Sequence, residues 1–116
     1  MKYMDRALEL AENAIRNVSP NPPVGALVVS NGRVVGEGWT QPPGNNHAEI
    51  MALNQAKQSA KNSVLYITLE PCCFYGRTPP CVEAIVEAGV KEVHVSILDP
   101  NPRVNGNGLD YLKNAG

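Results

Sequence analysis

The sequence predicts an α/β fold, a three-layer α/β/α sandwich whose mixed sheet starts with a β-hairpin. Strand-like runs alternate with helical patterns along the 116 residues, which favours a sheet covered by helices on both faces. An Asn-Gly pair joins the first two of these runs, and such a pair is a strong local signal for a hairpin. A later run, VLYITL, is almost continuously apolar, as is typical of a strand buried on both faces.

The first half of the chain is predicted to contain a helix, a hairpin and a second helix. Apolar residues at helical spacing indicate a helix that starts near the N-terminus and ends at a Ser-Pro pair. Residues 24–30 and 33–38 are β-rich, and Asn31-Gly32 between them favours the positive φ angles of a hairpin turn. After a loop rich in Pro, Gly and Asn, residues 47–60 are predicted to be helical with Asn46 as the N-cap.

The second half is predicted to alternate strands with helices. Residues 64–69 and 90–98 are the expected strands. Between them, residues 81–88 should form a helix that Gly89 terminates. Residues 109–115 predict the start of a last helix.

Charge, composition and cysteine count exclude several classes of function. A net charge of -1 and a pI near 6.1 provide no basic surface for nucleic acid or for anionic membranes. No apolar run could span a bilayer, and the first ten residues lack the apolar core of a signal peptide. Three cysteines in one segment, residues 72–81, make a poor disulfide framework. We therefore expect a cytoplasmic protein with no nucleic-acid or membrane partner, whose cysteines serve a metal or catalysis.

Two segments carry residues that fit a catalytic zinc site: residues 47–49 (His-Ala-Glu), and Cys72 together with Cys81. Such a site has three protein ligands and one position open for water. One imidazole and two thiolates meet that count. The arrangement resembles the zinc deaminases, in which the glutamate of His-x-Glu is the general acid and base and is not a ligand. One difference is that those enzymes have two residues between the cysteines, whereas eight intervene here.

The spacing of His47 and Glu49 constrains where the metal can lie. On a regular helix two such residues are about 200° apart, so they share no lateral face. They converge only if the metal lies beyond the N-terminal end of the helix, with His47 in the first turn. Cys81 also stands at a predicted helix start, so the positive ends of two helix dipoles would face one ion and favour thiolates.

A closed structural zinc site is the main alternative. It needs a fourth protein ligand, for which Cys73 and His94 are the candidates. Cys73 adjoins Cys72, and two adjacent residues rarely reach one ion without strain. His94 alternates with apolar residues in a predicted strand and is expected to pack on a face of the sheet. Glu49 favours the catalytic site, because a structural zinc site has no use for a carboxylate beside a water position.

Five further motifs resemble those of a single family. They are PNPPVG (residues 20–25), VGEGW (35–39), LEPC (69–72), GRTPPC (76–81) and DPNP (99–102). They are similar to the deaminase domain of the bacterial riboflavin-biosynthesis deaminase/reductase, the RibD family of the cytidine-deaminase-like superfamily. The resemblance runs from about Tyr3 to Gly116. The loop that ends in GRTPPC is its most specific mark, since it fills the interval where other zinc deaminases have two residues.

The resemblance implies a fold, an activity and a cofactor. The fold is the α/β/α sandwich of the cytidine-deaminase-like type, and the cofactor is Zn2+. The activity is hydrolytic deamination of a diaminohydroxypyrimidine that carries a ribosylamino phosphate, with release of ammonia. The implied zinc ligands are His47, Cys72 and Cys81, and Glu49 is the implied proton carrier.

Three more residues stand where the family places substrate contacts: Asn21, Arg77 and Asn101. A planar, always charged guanidinium such as that of Arg77 suits a phosphate, although a solvated loop charge is an equal alternative. The two asparagines lie between prolines, which suits either recognition of a base edge or ordinary turn formation. Thr40 and Phe74 stand where many members of the family have histidine, so contacts made by those histidines do not carry over.

We expect residues 1–116 to form one zinc-dependent deaminase domain. The NADPH-dependent reductase of the family is not expected within this chain, although a fused reductase is expected in the full-length protein. The expected partner is a small phosphorylated pyrimidine, and the sequence leaves a homo-oligomer open. Two alternatives for the function are a zinc deaminase for another nucleobase or nucleoside, and a non-catalytic zinc-stabilised interaction module.

Overall fold

The computed structural model describes residues 2–14, 24–40, 47–69 and 81–97. The elements in chain order are α1 (Lys2–Ala14), β1 (Gly25–Ser30), β2 (Arg33–Trp39), α2 (Ala48–Ala56), a 3₁₀ turn (Lys57–Ala60), β3 (Val64–Leu69), α3 (Cys81–Glu87) and β4 (Glu92–Ile97). The strands form one sheet in the order β2-β1-β3-β4, in which β3 and β4 are parallel and the other pairs antiparallel. The predicted mixed sheet that starts with a hairpin is confirmed.

The hairpin forms as its sequence predicts. Asn31 and Gly32 have φ angles of 52° and 76°, the two positive values that a tight two-residue turn between twisted strands requires. The turn brings Ser30 opposite Arg33, and the pairing continues to Gly25 opposite Trp39 with one irregularity after Val28.

Helices lie on both faces of the sheet because alternate residues of each strand point to opposite sides. On one face α1 packs against the sheet, and the buried side chains there are Leu10, Leu27 and Val29. On the other face α2 and α3 cover a larger apolar core, whose buried members are Ala26, Val28, Ala48, Ala52, Leu53, Ala56, Ala60, Leu65, Ile67 and Ile85.

The contact between α2 and β2 is unusually close because β2 presents two glycines to the helix. A Cβ atom at Gly36 would lie 2.1 Å from the carbonyl oxygen of Ala52, and one at Gly38 would lie 2.0 Å from that of Ala48. Neither distance is possible for real atoms, so the helix rests directly on the strand backbone. Further along, Gln55 of α2 accepts a hydrogen bond from the backbone N–H of Glu37 at 2.7 Å. This bond occupies a donor on an edge strand of the described sheet.

The second helix differs from its prediction at both ends. It begins at Ala48 with His47 as the N-cap, so the prediction that Asn46 is the N-cap was wrong. It ends at Ala56, because Lys57 takes a positive φ of 53° that an α-helix cannot contain. The chain then continues as the 3₁₀ turn, which places Ala60 in the core.

The third helix and the last described strand are slightly shorter than predicted. Helix α3 ends at Glu87, and Gly89 follows it with a φ of 80°, which confirms its role as the terminating glycine. Strand β4 covers Glu92–Ile97 of the predicted 90–98. The predicted last helix at 109–115 lies outside the described residues. Within the described ranges, no helix has the length and apolar character needed to cross a membrane.

Candidate metal centre

The candidate site lies at the edge of the sheet where β1 begins and β2, β3 and β4 end. The register places Gly25 opposite Trp39, Ala26 opposite Ile67, and Leu69 opposite Ile97. Helix α2 starts at this edge, because its Ala48 backbone lies against Gly38 near the end of β2. The crevice outside the carboxyl ends of parallel strands is the common ligand site of open α/β sheets.

His47 reaches the site from a position just outside α2. Its backbone is extended, with φ −70° and ψ 164°, and its carbonyl accepts the first helical hydrogen bond from Met51 N–H at 3.0 Å. The prediction placed His47 in the first helical turn, one residue too far into the helix. Because His47 is not helical, the 200° separation expected on a regular helix does not apply to it. Its imidazole and the carboxylate of Glu49 can therefore approach the same point beyond the helix start.

Three of the predicted site residues lie together. His47 Nδ1 is 2.9 Å from Cys81 Sγ. One ligand atom from each of His47, Glu49 and Cys81 lies within 4.8 Å of the other two. Cys81 is 1% exposed and Glu49 is 4% exposed, whereas His47 is partly buried. The N-termini of α2 and α3 thus meet at one cluster, as the spacing of the motifs predicted.

The cluster fits a zinc ion. Imidazole nitrogen and thiolate sulfur are preferred zinc ligands, at about 2.0–2.1 Å and about 2.3 Å from the metal. Two such ligands of one tetrahedral ion are about 3.5 Å apart, so His47 and Cys81 would separate by about 0.6 Å to accept it. That adjustment is within the range of small side-chain rotations. The helix N-termini add positive potential, which favours a thiolate at Cys81 over a thiol.

His94 lies on the opposite face of the sheet. Its ring stacks on Tyr66, with ring centroids 4.9 Å apart and an interplanar angle of 10°. Its Nε2 is 3.4 Å from a carboxylate oxygen of Glu92, and the side chain is half exposed. Tyr66 belongs to the face that α1 covers, whereas α2 and α3 cover the other face. A closed structural site that uses His94 as its fourth ligand is therefore excluded by this fold.

The remaining predicted site residues lie outside the described part of the chain. They are the third proposed ligand, Cys72, and the three proposed substrate contacts, Asn21, Arg77 and Asn101. Cys73, the other candidate for a fourth ligand, lies outside it as well.

Two threonine hydroxyls at the same end of the sheet make hydrogen bonds that the sequence did not identify. Thr40 Oγ1 accepts a hydrogen bond from Val24 N–H at 2.7 Å, and Thr68 Oγ1 accepts one from Gly25 N–H at 3.1 Å. Together they hold the start of β1 against the ends of the two neighbouring strands. In the sequence, Thr40 was noted only because many members of the family have histidine at this position. Nothing in the pattern of neighbouring residues indicates its hydrogen bond to Val24.

An imidazole, a cysteine sulfur and a carboxylate gather beside the mixed sheet where two helices begin, and these are groups of the kind that form the site of zinc deaminases. Residues 1–97 match the family described as the cytidine and deoxycytidylate deaminase zinc-binding region. The chain belongs to this family. The predicted cytidine-deaminase-like fold and the predicted dependence on Zn2+ are thereby confirmed.

Similar proteins confirm the resemblance to the RibD family. The diaminohydroxyphosphoribosylamino-pyrimidine deaminase of Buchnera aphidicola (subsp. Schizaphis graminum) is 53% identical over 98% of this chain and 78% of its own length. The riboflavin biosynthesis protein RibD of Aquifex aeolicus is 52% identical over 98% of this chain. A solved structure of Acinetobacter baumannii RibD superposes with a TM-score of 0.95 at 49% identity, over 98% of this chain. The chain spans 32% of each of these two RibD proteins.

Proposed function

We propose that this domain hydrolytically deaminates a diaminohydroxypyrimidine bearing a phosphoribosylamino group and releases ammonia. The observation that carries the proposal is that ligand atoms of His47, Glu49 and Cys81 lie within 4.8 Å of one another. The Buchnera relative, of which this chain covers most, is named for the same substrate. The substrate therefore follows from the relatives, and the reaction type follows from the chemistry of the site.

Zinc would be held by His47, Cys72 and Cys81. Cys72 follows Leu69, the last residue of β3, and three residues of extended chain reach about 10 Å. That reach suits a third ligand, because β3 ends at the edge where the other two ligands lie. When bound, zinc lowers the pKa of a coordinated water towards about 7, which supplies a nucleophile at neutral pH.

Glu49 would move the protons. Its carboxylate is almost fully buried beside the ligand atoms, so bulk water does not compete for its proton. It takes one proton from the attacking water as the oxygen bonds to the amino-bearing ring carbon. It gives this proton to the ring nitrogen. It then takes the second proton from the hydroxyl group now bonded to that carbon and gives it to the leaving amine. The carbon–nitrogen bond breaks, the ring carbon keeps the oxygen, and the nitrogen leaves as ammonia.

Asn21, Arg77 and Asn101 would bind the substrate, with Arg77 on the phosphate. Each lies close in sequence to a described residue at the site edge. Asn21 precedes Val24 by three positions, and the Thr40 hydroxyl holds Val24 at the start of β1. Arg77 precedes Cys81 by four residues, and Asn101 follows the end of β4 by four. The ends of β2, β3 and β4 and the start of β1 all lie at this end of the sheet, which supports a shared binding site.

Ammonia release from the purified chain tests the proposal. The zinc-loaded protein is incubated with the pyrimidine ribosyl phosphate, with cytidine and with adenosine, and ammonia is quantified. We expect release from the pyrimidine ribosyl phosphate at a kcat/KM at least a hundredfold above that for either nucleoside. Faster release from a nucleoside would instead indicate a nucleoside deaminase. A protein that binds zinc and releases no ammonia from any of the three would indicate the interaction module.

We also propose that the full-length protein is cytoplasmic and carries a reductase domain. The support for the reductase is that the two RibD relatives are about three times as long as the matched region. In this arrangement residues 1–116 are the deaminase domain. Detection of NADPH-dependent reduction of the deaminated product by the full-length protein would test it.

A further inference from the structure

We propose that Gly38 is a positioning residue for the metal centre. The absence of a side chain at this position lets the first turn of α2 rest on β2, and this contact sets where His47 and Glu49 lie relative to Cys81. The inference rests on the proposed zinc site, and it assigns a role in that site to a residue of the sheet that has no functional group.

The contact is with the helix backbone and not with a flexible side chain. A Cβ atom at Gly38 would lie 2.0 Å from the Ala48 carbonyl oxygen, 2.9 Å from Ala52 N and 3.0 Å from the Ala48 carbonyl carbon. A side-chain rotation cannot relieve an overlap with backbone atoms, so the helix start itself must move. Ala48 lies between His47 and Glu49 in the chain, and any shift of its backbone moves both.

The rest of α2 is held in place, so a displacement would tilt the first turn and not translate the whole helix. Ala52 and Ala56 are buried in the core below the helix. Near its C-terminal end, Gln55 is tied to the backbone of Glu37 at 2.7 Å. A tilt about these contacts has its largest effect at His47, the residue outside the N-terminal end.

The metal centre tolerates little movement. Ligand distances in a zinc site vary by about 0.2 Å, whereas lengthening a 2.0 Å separation to an ordinary contact needs a shift of the order of 1 Å. His47 Nδ1 already lies 2.9 Å from Cys81 Sγ, close to its position as a co-ligand. A side chain at position 38 therefore spoils the ligand geometry without touching a ligand.

Gly36 is the matched control that the same strand provides. It faces the same helix, and its Cβ would lie 2.1 Å from the Ala52 carbonyl oxygen, an overlap of the same size. That overlap falls one helical turn further from the ligands. Both substitutions should destabilise the fold to a similar extent, and they should differ in what they do to the metal.

The test compares Gly38→Ala and Gly36→Ala with the parent protein. Zinc affinity is measured on metal-free protein by chelator competition, and the geometry is followed by the visible absorption of the Co2+-substituted protein. Melting temperature and the separate kcat and KM values complete the set.

We expect both variants to melt at a lower temperature. Gly38→Ala should bind zinc at least tenfold more weakly, shift the Co2+ bands and lower kcat more than it raises KM. Gly36→Ala should keep zinc affinity within threefold and keep the Co2+ bands.

Equal zinc affinities and equal Co2+ spectra for the two variants would overturn the proposal. If Gly38→Ala does not fold, Ala48→Val and Ala52→Val provide the same comparison from the helix side, because both residues are fully buried and their carbonyl oxygens are the atoms that meet Gly38 and Gly36. The Ala48 variant alone should then lose zinc affinity, and equal losses would again overturn it. A parent protein that binds zinc and releases ammonia while the variants of each pair behave alike refutes this inference alone. A parent that does neither refutes the proposed function.

Discussion

Glu49 is nearly buried in the first turn of α2, with a carboxylate oxygen within 4.8 Å of the ligand atoms of His47 and Cys81. The substitution Glu49→Gln keeps the size of this side chain and removes its ability to accept a proton. We expect the variant to fold, keep its zinc and bind substrate, while kcat falls by about a hundredfold or more, the usual scale for a lost general acid and base. Steady-state kinetics with parallel zinc analysis measures this, and Glu87→Gln, at an exposed carboxylate, is the control.

Three outcomes contradict this role. Loss of zinc from Glu49→Gln would make Glu49 a ligand or a support of one. Near-normal ammonia release would mean that another group moves the protons. An unchanged kcat with a raised KM would also contradict it, since proton transfer stabilises the transition state and not the bound substrate.

The two adjacent cysteines should differ in their effect on zinc content. Cys72 is the proposed ligand and Cys73 is not, because adjacent residues rarely bind one ion together. We expect Cys72→Ser to lower the zinc per chain sharply and Cys73→Ser to leave it unchanged. Metal analysis after dialysis gives the answer, with Cys81→Ser as the positive control. Equal zinc loss from the Cys72 and Cys73 variants would show that the assignment is wrong.

Arg77 should act on the phosphate of the substrate. Arg77→Ala is expected to weaken binding of the phosphorylated substrate at least tenfold more than binding of its dephosphorylated form, because one form alone offers the anion. Binding of both forms is measured by calorimetry, and Arg33→Ala, at an exposed arginine of β2, controls for a loss of general charge. An equal loss of affinity for both forms would mean that Arg77 orders its loop and does not bind the phosphate.

At the residue scale, the sequence identified the chemical groups and not the residues that support them. His47, Glu49 and Cys81 were found because their chemistry is specific and their spacing is recognisable. Gly38 and Thr40 act through a backbone contact and a hydroxyl acceptor, which depend on where another element lies. Two glycines two residues apart indicate a close approach on one face of a strand, but they do not identify the partner.

At the scale of helices and strands, features set by local sequence were predicted and features set by packing were not. The hairpin was predicted correctly because Asn31-Gly32 determines its own turn. The break of the second helix at Lys57 was missed, since lysine has no intrinsic preference for a positive φ and the core contacts of the following turn impose it. Element boundaries that depend on packing are not encoded in the local pattern.

The N-cap of α2 leads to a further prediction at this scale. Asparagine is a preferred N-cap because its side-chain oxygen accepts a hydrogen bond from the first helical turn, whereas the His47 imidazole is directed to Cys81. We expect His47→Asn to lose zinc binding while its metal-free form is as stable as the metal-free parent, or more stable by up to about 1 kcal/mol. Denaturant unfolding of both metal-free proteins measures this. A variant that is clearly less stable without metal would show that His47 supports the fold as well as the site.

At the scale of the whole molecule, zinc should stabilise two helices that have little stability of their own. Helices of nine and seven residues, α2 and α3, are too short to be stable in isolation. Since zinc binds the folded state, a free concentration a hundred times the Kd adds about 2.7 kcal/mol of stability. We expect zinc to slow hydrogen exchange most at the starts of α2 and α3 and least in the β1–β2 hairpin turn. Exchange measured by mass spectrometry with and without chelator tests this, and uniform protection would argue for a general effect on the fold.

The hydrogen bond from Glu37 N–H to Gln55 has a consequence for the behaviour of the protein at high concentration. The outer edge of a β-strand offers backbone donors and acceptors to any other chain in an extended conformation, and this is how many proteins begin to aggregate. Here a helix from the same molecule supplies an amide oxygen to one of those donors. An approaching strand would have to displace this internal partner before it could pair at that point. Gln55, which ties α2 to the sheet, thus also hinders pairing of another chain with this strand.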